Sequence, residues 1–163
     1  RLLAAFERLR KASDDIGRYR HILTLFPHDA DAHYNLGVLY AGLGHFRLAA
    51  AEYAQALATN PTNLSARNNL ANIFLRRGEL AAAIGHYEKI LAIDSRYVQA
   101  YHNLGSAYLA MGDPSRAIRA FTKAIKIEPN HADAHYSLGM LYRQLNRRAE
   151  AEVELETYRR LTE

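Results

Sequence analysis

Eight histidines, seventeen carboxylates and twenty-one Lys and Arg residues are the side chains of this 163-residue chain that could do acid–base or metal chemistry. Cysteine is absent, which excludes a disulfide framework, thiolate zinc ligation and a Cys nucleophile. His131 and His135 lie four apart and share one face of a helix, a spacing that zinc sites use. No third ligand follows at a fitting distance, so no metal is expected. Glu150, Glu152, Glu154 and Glu156 alternate with apolar residues and read as the solvated side of a helix, not as a carboxylate pair in a closed pocket. The chain has no G-x-S-x-G, no phosphate-binding loop and no dinucleotide fingerprint. The expectation is a protein that is not an enzyme and needs no cofactor.

The cations are equally restrained. A surplus of +4 does not announce a nucleic acid or a membrane surface, because such proteins spread many more cations over one face. No apolar run approaches the 18 residues of a membrane-crossing helix, so direct membrane insertion is not expected. The opening segment RLLAAFERLR interleaves charge with apolar residues and lacks a signal-peptide core. The compartment stays open between the cytoplasm and, had a signal peptide been removed, the periplasm. The chain begins without Met, and the expectation is a piece trimmed from something longer.

What would position these side chains is a repeat. Shifted by 34 residues the sequence matches itself without gaps, giving segments 30–63, 64–97, 98–131 and 132–163 after a partial, irregular N-terminal repeat over 1–29. The eighth position reads Gly37, Ala71, Gly105, Gly139 and is preceded each time by Leu; the eleventh reads Tyr40, Phe74, Tyr108, Tyr142. The twentieth reads Ala49, Ala83, Ala117, Ala151, and the twenty-fourth Tyr53, Tyr87, Phe121, Leu155. Apolar residues fall at helical spacing on both sides of Gly44, so each repeat should be helix, short turn, helix. Gly37 would face Ala49 and let the two backbones approach. Asp29, Asn63 and Asp113 are N-cap candidates, Pro114 suits a first helical position, and Pro61 and Pro129 should end the preceding helices. In the N-terminal segment Asp15 occupies the Ala position, so either the register slips there or the helix starts late, capped by Ser13 or Asp14. Twenty-eight alanines also favour an all-α chain.

The pattern aromatic-x-x-Leu-Gly-x-x-Tyr, then Ala-x-x-x-aromatic, then Pro, resembles the tetratricopeptide repeat family over 30–163. The resemblance implies one continuous all-α solenoid, a right-handed superhelix of antiparallel helix pairs that holds other proteins. It also implies that the first helix of each pair lines a concave groove. On that reading the groove presents Tyr34 and Asn35; Asn68, Asn69, Asn72 and Arg76; His102, Asn103 and Ser106; and Tyr136, Met140 and Arg143. Amides repeated once per unit at Asn35, Asn69 and Asn103 could bond the backbone of an extended peptide, and Tyr34 and Tyr136 add flat contact area. The other reading of the amides is that they only solubilise the groove. One subtype of the family grips a chaperone's C-terminal carboxylate with a Lys and Arg clamp. The corresponding places here hold Tyr34 and Val38, Asn69, then Gln99 and Asn103, so that mode is not expected. The asparagine series is also similar to the repeat arm of the O-linked N-acetylglucosamine transferase, although no catalytic domain lies within these residues.

In the repeat frame His33 and His135 share the fourth position, which accounts for their recurrence without a metal. Arg116, Arg119, Lys123 and Lys126 make a basic stripe on one second helix. Its counterparts are Leu48, Ala51, Gln55, Ala58 and Ala82, Gly85, Lys89, Ala92, so the stripe reads as a solvated face and no nucleic acid could follow it. At the C-terminus Tyr142, Leu145, Leu155 and Tyr158 should be partly uncovered. Continuation of the chain, self-association through terminal repeats, and capping by Glu152, Glu156 and Arg159 are all open. The expected function is a non-catalytic scaffold that binds a peptide or protein segment in its groove. The alternative is the recruitment or regulatory arm of a larger enzyme, such as a glycosyltransferase, or of a secretion or envelope assembly factor.

Overall fold

A computed structural model describes residues 2–163, with side chains described at Leu3 and from Phe6 onward. Nine α-helices and no strands occur among the described residues. They divide into two compact units, one running to Ile73 and one from Phe74, with the division inside α4. The first unit holds α1 (Leu2–Leu25), α2 (Ala30–Gly42), α3 (Phe46–Thr59) and most of α4 (Leu64–Arg76). The second holds the end of α4, then α5 (Leu80–Ile93), α6 (Val98–Ala110), α7 (Pro114–Ile127), α8 (Ala132–Gln144) and α9 (Arg148–Thr162).

The helix ends form where the residue types demand them. Asp29 Oδ1 accepts from the Ala32 N–H at 2.7 Å, Asn63 Oδ1 from Ala66 at 2.9 Å and Asp113 Oδ1 from Arg116 at 2.8 Å. Each side chain thereby satisfies a donor that the first turn leaves free. Pro114 occupies the start of α7, and α3 and α7 have ended before Pro61 and Pro129. The turn inside each repeat needs a left-handed residue, with φ of 78° at Gly44, 76° at Gly78 and 80° at Gly112. The fourth repeat fills the same position with Asn146 at φ 60°, the non-glycine residue that tolerates this conformation best.

Packing matches small to large. A Cβ on Gly37 would sit 2.7 Å from the Tyr53 ring, one on Gly105 2.6 Å from Phe121, and one on Gly139 2.8 Å from Leu155 Cγ. The nearest neighbour of Gly37 is therefore Tyr53, four residues beyond the Ala49 expected from the sequence. The glycine makes room for a large side chain of the partner helix, and Ala49 is buried in its own right. In the first unit the core comprises Leu36, Tyr40, Tyr53 and Leu70 with interleaved alanines. Tyr87, Ile90, Phe121, Leu138 and Leu141 do the same in the second. Burying side chains of this size contributes about 1.5–3 kcal/mol each.

Residues 2–25 form one helix, so α1 does not begin at Ser13 or Asp14. Asp15 is accommodated because its carboxylate stays half-exposed and pairs with Arg18 at 3.1 Å. Leu3, Phe6 and Leu9 on the N-terminal half of α1 are exposed. The C-terminal helix leaves Val153 exposed, and Leu145 before it is also uncovered.

Candidate functional site

In the first unit the candidate residues lie on α2 and α4. Tyr34 and Asn35 are half-buried, and the Tyr34 ring stands 6.0 Å from that of Tyr53. The Asn69 amide donates to the Tyr53 hydroxyl at 3.3 Å. Burial pushes the Tyr53 phenol up to about 12; the Asn69 hydrogen bond opposes that shift and Tyr34 adds to it. Tyr53 is thus a neutral, buried anchor for an amide on the neighbouring helix. Asn68 is 7% exposed, and Asn72 is half-buried.

In the second unit they lie on α6 and α8, with Arg76 exposed at the end of α4. Asn103 is 8% exposed and accepts from Gln99 Nε2 at 3.1 Å. His102 Nε2 meets Ser137 Oγ at 3.1 Å, and its ring lies 5.6 Å from Phe121 and 5.5 Å from His131. Burial, with repulsion from His131 second, holds the His102 imidazole below its ordinary range, so the ring is neutral near pH 7. Ser106 donates its hydroxyl to the His102 carbonyl at 3.2 Å. Tyr136 is 45% exposed with its ring 5.0 Å from Tyr158, Met140 is half-buried and Arg143 is exposed.

Three of these residues come together. Ser106 on α6 and Tyr136 and Met140 on α8 border an open depression of about 410 Å³, with Leu109, Ser137 and Gln144 completing its rim and Phe121 behind it. Apolar lining with a few hydroxyl and amide groups is what small recognition sites present. The amide series is not uniform: Asn69 and Asn103 already hold intramolecular partners.

The two histidines that invited a metal reading have other work. His131 Nδ1 accepts from the Ala134 N–H at 3.2 Å and caps α8. His135 Nδ1 meets Glu154 Oε2 at 2.5 Å and Nε2 meets the Pro129 carbonyl at 2.9 Å. His33 repeats this with Glu52 at 2.7 Å and Pro27 at 3.1 Å. Arg67 donates to the Pro61 carbonyl, and the Tyr101 hydroxyl donates to the Ser95 carbonyl at 3.3 Å. The fourth position of every full repeat thus fastens the carbonyl six residues earlier, in the turn between repeats. Sequence reasoning missed this tie because His, Arg and Tyr share no residue type, only a donor of the right reach. The constant spacing of six was the available signal. No group of three or more metal-ligating side chains occurs among the described residues. Likewise, no helix there is long and apolar enough to cross a membrane.

Helix pairs with matched glycine and aromatic positions, tied at each turn, define an all-α helical-repeat protein of the solenoid class. Family profiles described as tetratricopeptide repeat match residues 30–63, 62–128 and 102–161. The chain belongs to the tetratricopeptide repeat family. A crystal structure of MamA is similar at 26% identity and a TM-score of 0.84, covering 95% of this chain and 92% of that one. Pseudomonas aeruginosa PilF is similar in fold at 22% identity and a TM-score of 0.84, covering 98% of this chain and 72% of that one. The first TPR of Spaghetti (RPAP3), bound to the HSP90 peptide SRMEEVD, matches in fold at 23% identity and a TM-score of 0.68. That match covers 72% of this chain and 93% of the other. No curated protein sequence matches the chain. Family and fold together support a protein-interaction scaffold.

Proposed function

We propose that the chain is a non-catalytic scaffold that holds a peptide or protein segment on the exposed faces of the first helices of its repeats. The observation that carries this reading is the depression between α6 and α8. It is open, about 410 Å³ in volume and mainly apolar, and Ser106, Ser137 and Gln144 offer hydrogen bonds at its rim. One apolar side chain of a bound segment would enter between Tyr136 and Met140, and the segment's backbone would find hydroxyl and amide partners beside it. Tyr34 and Asn35 on α2 would serve in the same manner within the first unit. Asn69 and Asn103 each carry one intramolecular bond that orients the amide, and the amide's remaining donor and acceptor capacity serves the segment's backbone.

The test is a displayed random-peptide library selected against the wild-type protein. Selected peptides should lose about tenfold or more in affinity for a Tyr136→Ala/Met140→Lys variant whose thermal unfolding matches wild type. Peptides that bind both proteins equally would place recognition elsewhere and sink the reading.

A further inference from the structure

Four cations, as many as the chain's net surplus of +4, sit on one face of one helix. With Arg116, Arg119, Lys123 and Lys126 set aside, 17 Lys and Arg remain against 17 Asp and Glu. α7 contains no acidic residue, so neither Arg119 nor Lys123 has a carboxylate one turn away. Asp113, just ahead of the helix, hydrogen-bonds Arg116, with Nε to Oδ2 at 2.6 Å, and attracts Arg119 only through space. Lys126 lies in the last turn, where the helix dipole accounts for a cation. Arg119 and Lys123 stand exposed in mid-helix, Arg119 with only that weak attraction and neither at the helix end.

Structure adds what the stripe alone lacked. Beside it, between α6 and α7, lies a depression of about 380 Å³. Tyr101, Leu104 and Tyr108 form its α6 wall, and Arg116, Arg119 and Lys123 its α7 rim. The Arg116 guanidinium lies 4.6 Å above the Tyr108 ring, fixed by Asp113, so this edge of the site is already ordered. The four cations span about 15 Å along the helix. Such a footprint fits a few carboxylates and is short for a nucleic-acid track, whose binding grows with the number of phosphates met. A membrane surface is also disfavoured, because Ala117, Ala120, Phe121 and Ala124 of α7 are buried and leave no apolar face to insert.

We propose that the α6–α7 depression binds an acidic peptide segment of a partner protein. Its carboxylates lie on Arg119 and Lys123, and an apolar side chain rests against Tyr101 and Leu104. The site shares no lining residue with the α6–α8 depression, so it stands independently of the groove reading.

The experiment uses a fluorescein-labelled probe of six glutamates with one central leucine and one phenylalanine, read by anisotropy. An Arg119→Glu/Lys123→Glu variant, confirmed folded by its thermal unfolding, should bind about tenfold or more weakly. If that variant unfolds, Arg119→Gln/Lys123→Gln takes its place. The Tyr136→Ala/Met140→Lys variant should bind as wild type does, and a lysine-for-glutamate probe should favour the reversed protein. Three results would overturn the proposal: probe affinity indifferent to the substitutions, equally tight binding of a thymidine oligonucleotide of the same charge, or a stronger response to phosphatidylserine vesicles than to the probe.

Discussion

Gly105 shows how tightly single positions are matched. A methyl group there would lie 2.6 Å from the Phe121 ring, and that ring is itself buried. Gly105→Ala should therefore destabilise the protein by about 2 kcal/mol through overpacking, measured by denaturant titration. Gly85 is the internal control, because nothing lies within 4 Å of its Cβ direction in mid-α5. Gly85→Ala should stabilise by up to about 1 kcal/mol through helix propensity alone. His102 supplies a pH dependence at the same scale. Its folded value lies below the ordinary 6.5, chiefly because the ring is buried. Its contribution is complete above 6.5 and is lost as pH falls, since the unfolded chain then binds a proton that the folded ring resists. Denaturant midpoints compared between pH 7.5 and pH 5.5 should fall for wild type and fall less for His102→Gln.

At the scale of the element, helix ends carry the information. Asp113 bonds the Arg116 N–H and the Arg116 side chain while Pro114 sets the first turn. Asp113→Ala should cost about 1 kcal/mol, seen as a lowered midpoint of thermal unfolding. Asn146 holds the left-handed conformation that Gly44, Gly78 and Gly112 adopt elsewhere. Asn146→Gly should be neutral or stabilising by about 0.5 kcal/mol, whereas Gly78→Ala should lose about 1 kcal/mol. The caps and turns were readable from the sequence because each rests on one residue and its immediate neighbours. The continuous α1 was not readable, because the carboxylate of Asp15 that argued for a late start is accommodated by Arg18 and by partial exposure.

At the scale of the whole molecule, contact within each unit is local along the chain. Packing joins α1 to α2 and α2 to α3 in the first unit, and α5 to α6, α6 to α7, α7 to α8 and α8 to α9 in the second, where α6 also meets α8. Stability of such an array is approximately a sum over repeats and their immediate interfaces. Gly105→Ala should accordingly speed amide hydrogen exchange in α6 and α7 most, and in α2 and α3 least. Uniform acceleration through all helices would contradict this and indicate one cooperative core. Arg119→Glu/Lys123→Glu also brings the chain from +4 to neutrality by changing one helix face.

The sequence by itself determined the period, the paired helices, the caps and the glycine–aromatic positions. All of these follow from short-range sterics and from hydrogen bonds within a few residues, repeated in register. Tertiary structure alone decided which polar groups meet a partner within the protein. Asn69 and Asn103 carry amides of the same type at the same repeat position as Asn35. One meets the Tyr53 hydroxyl from another helix, and the other meets Gln99 one turn away. It also decided that His33 and His135 tie turns and that a basic stripe borders a tyrosine-walled depression. Such properties depend on the distance between side chains of different helices, which periodicity fixes only to within a face.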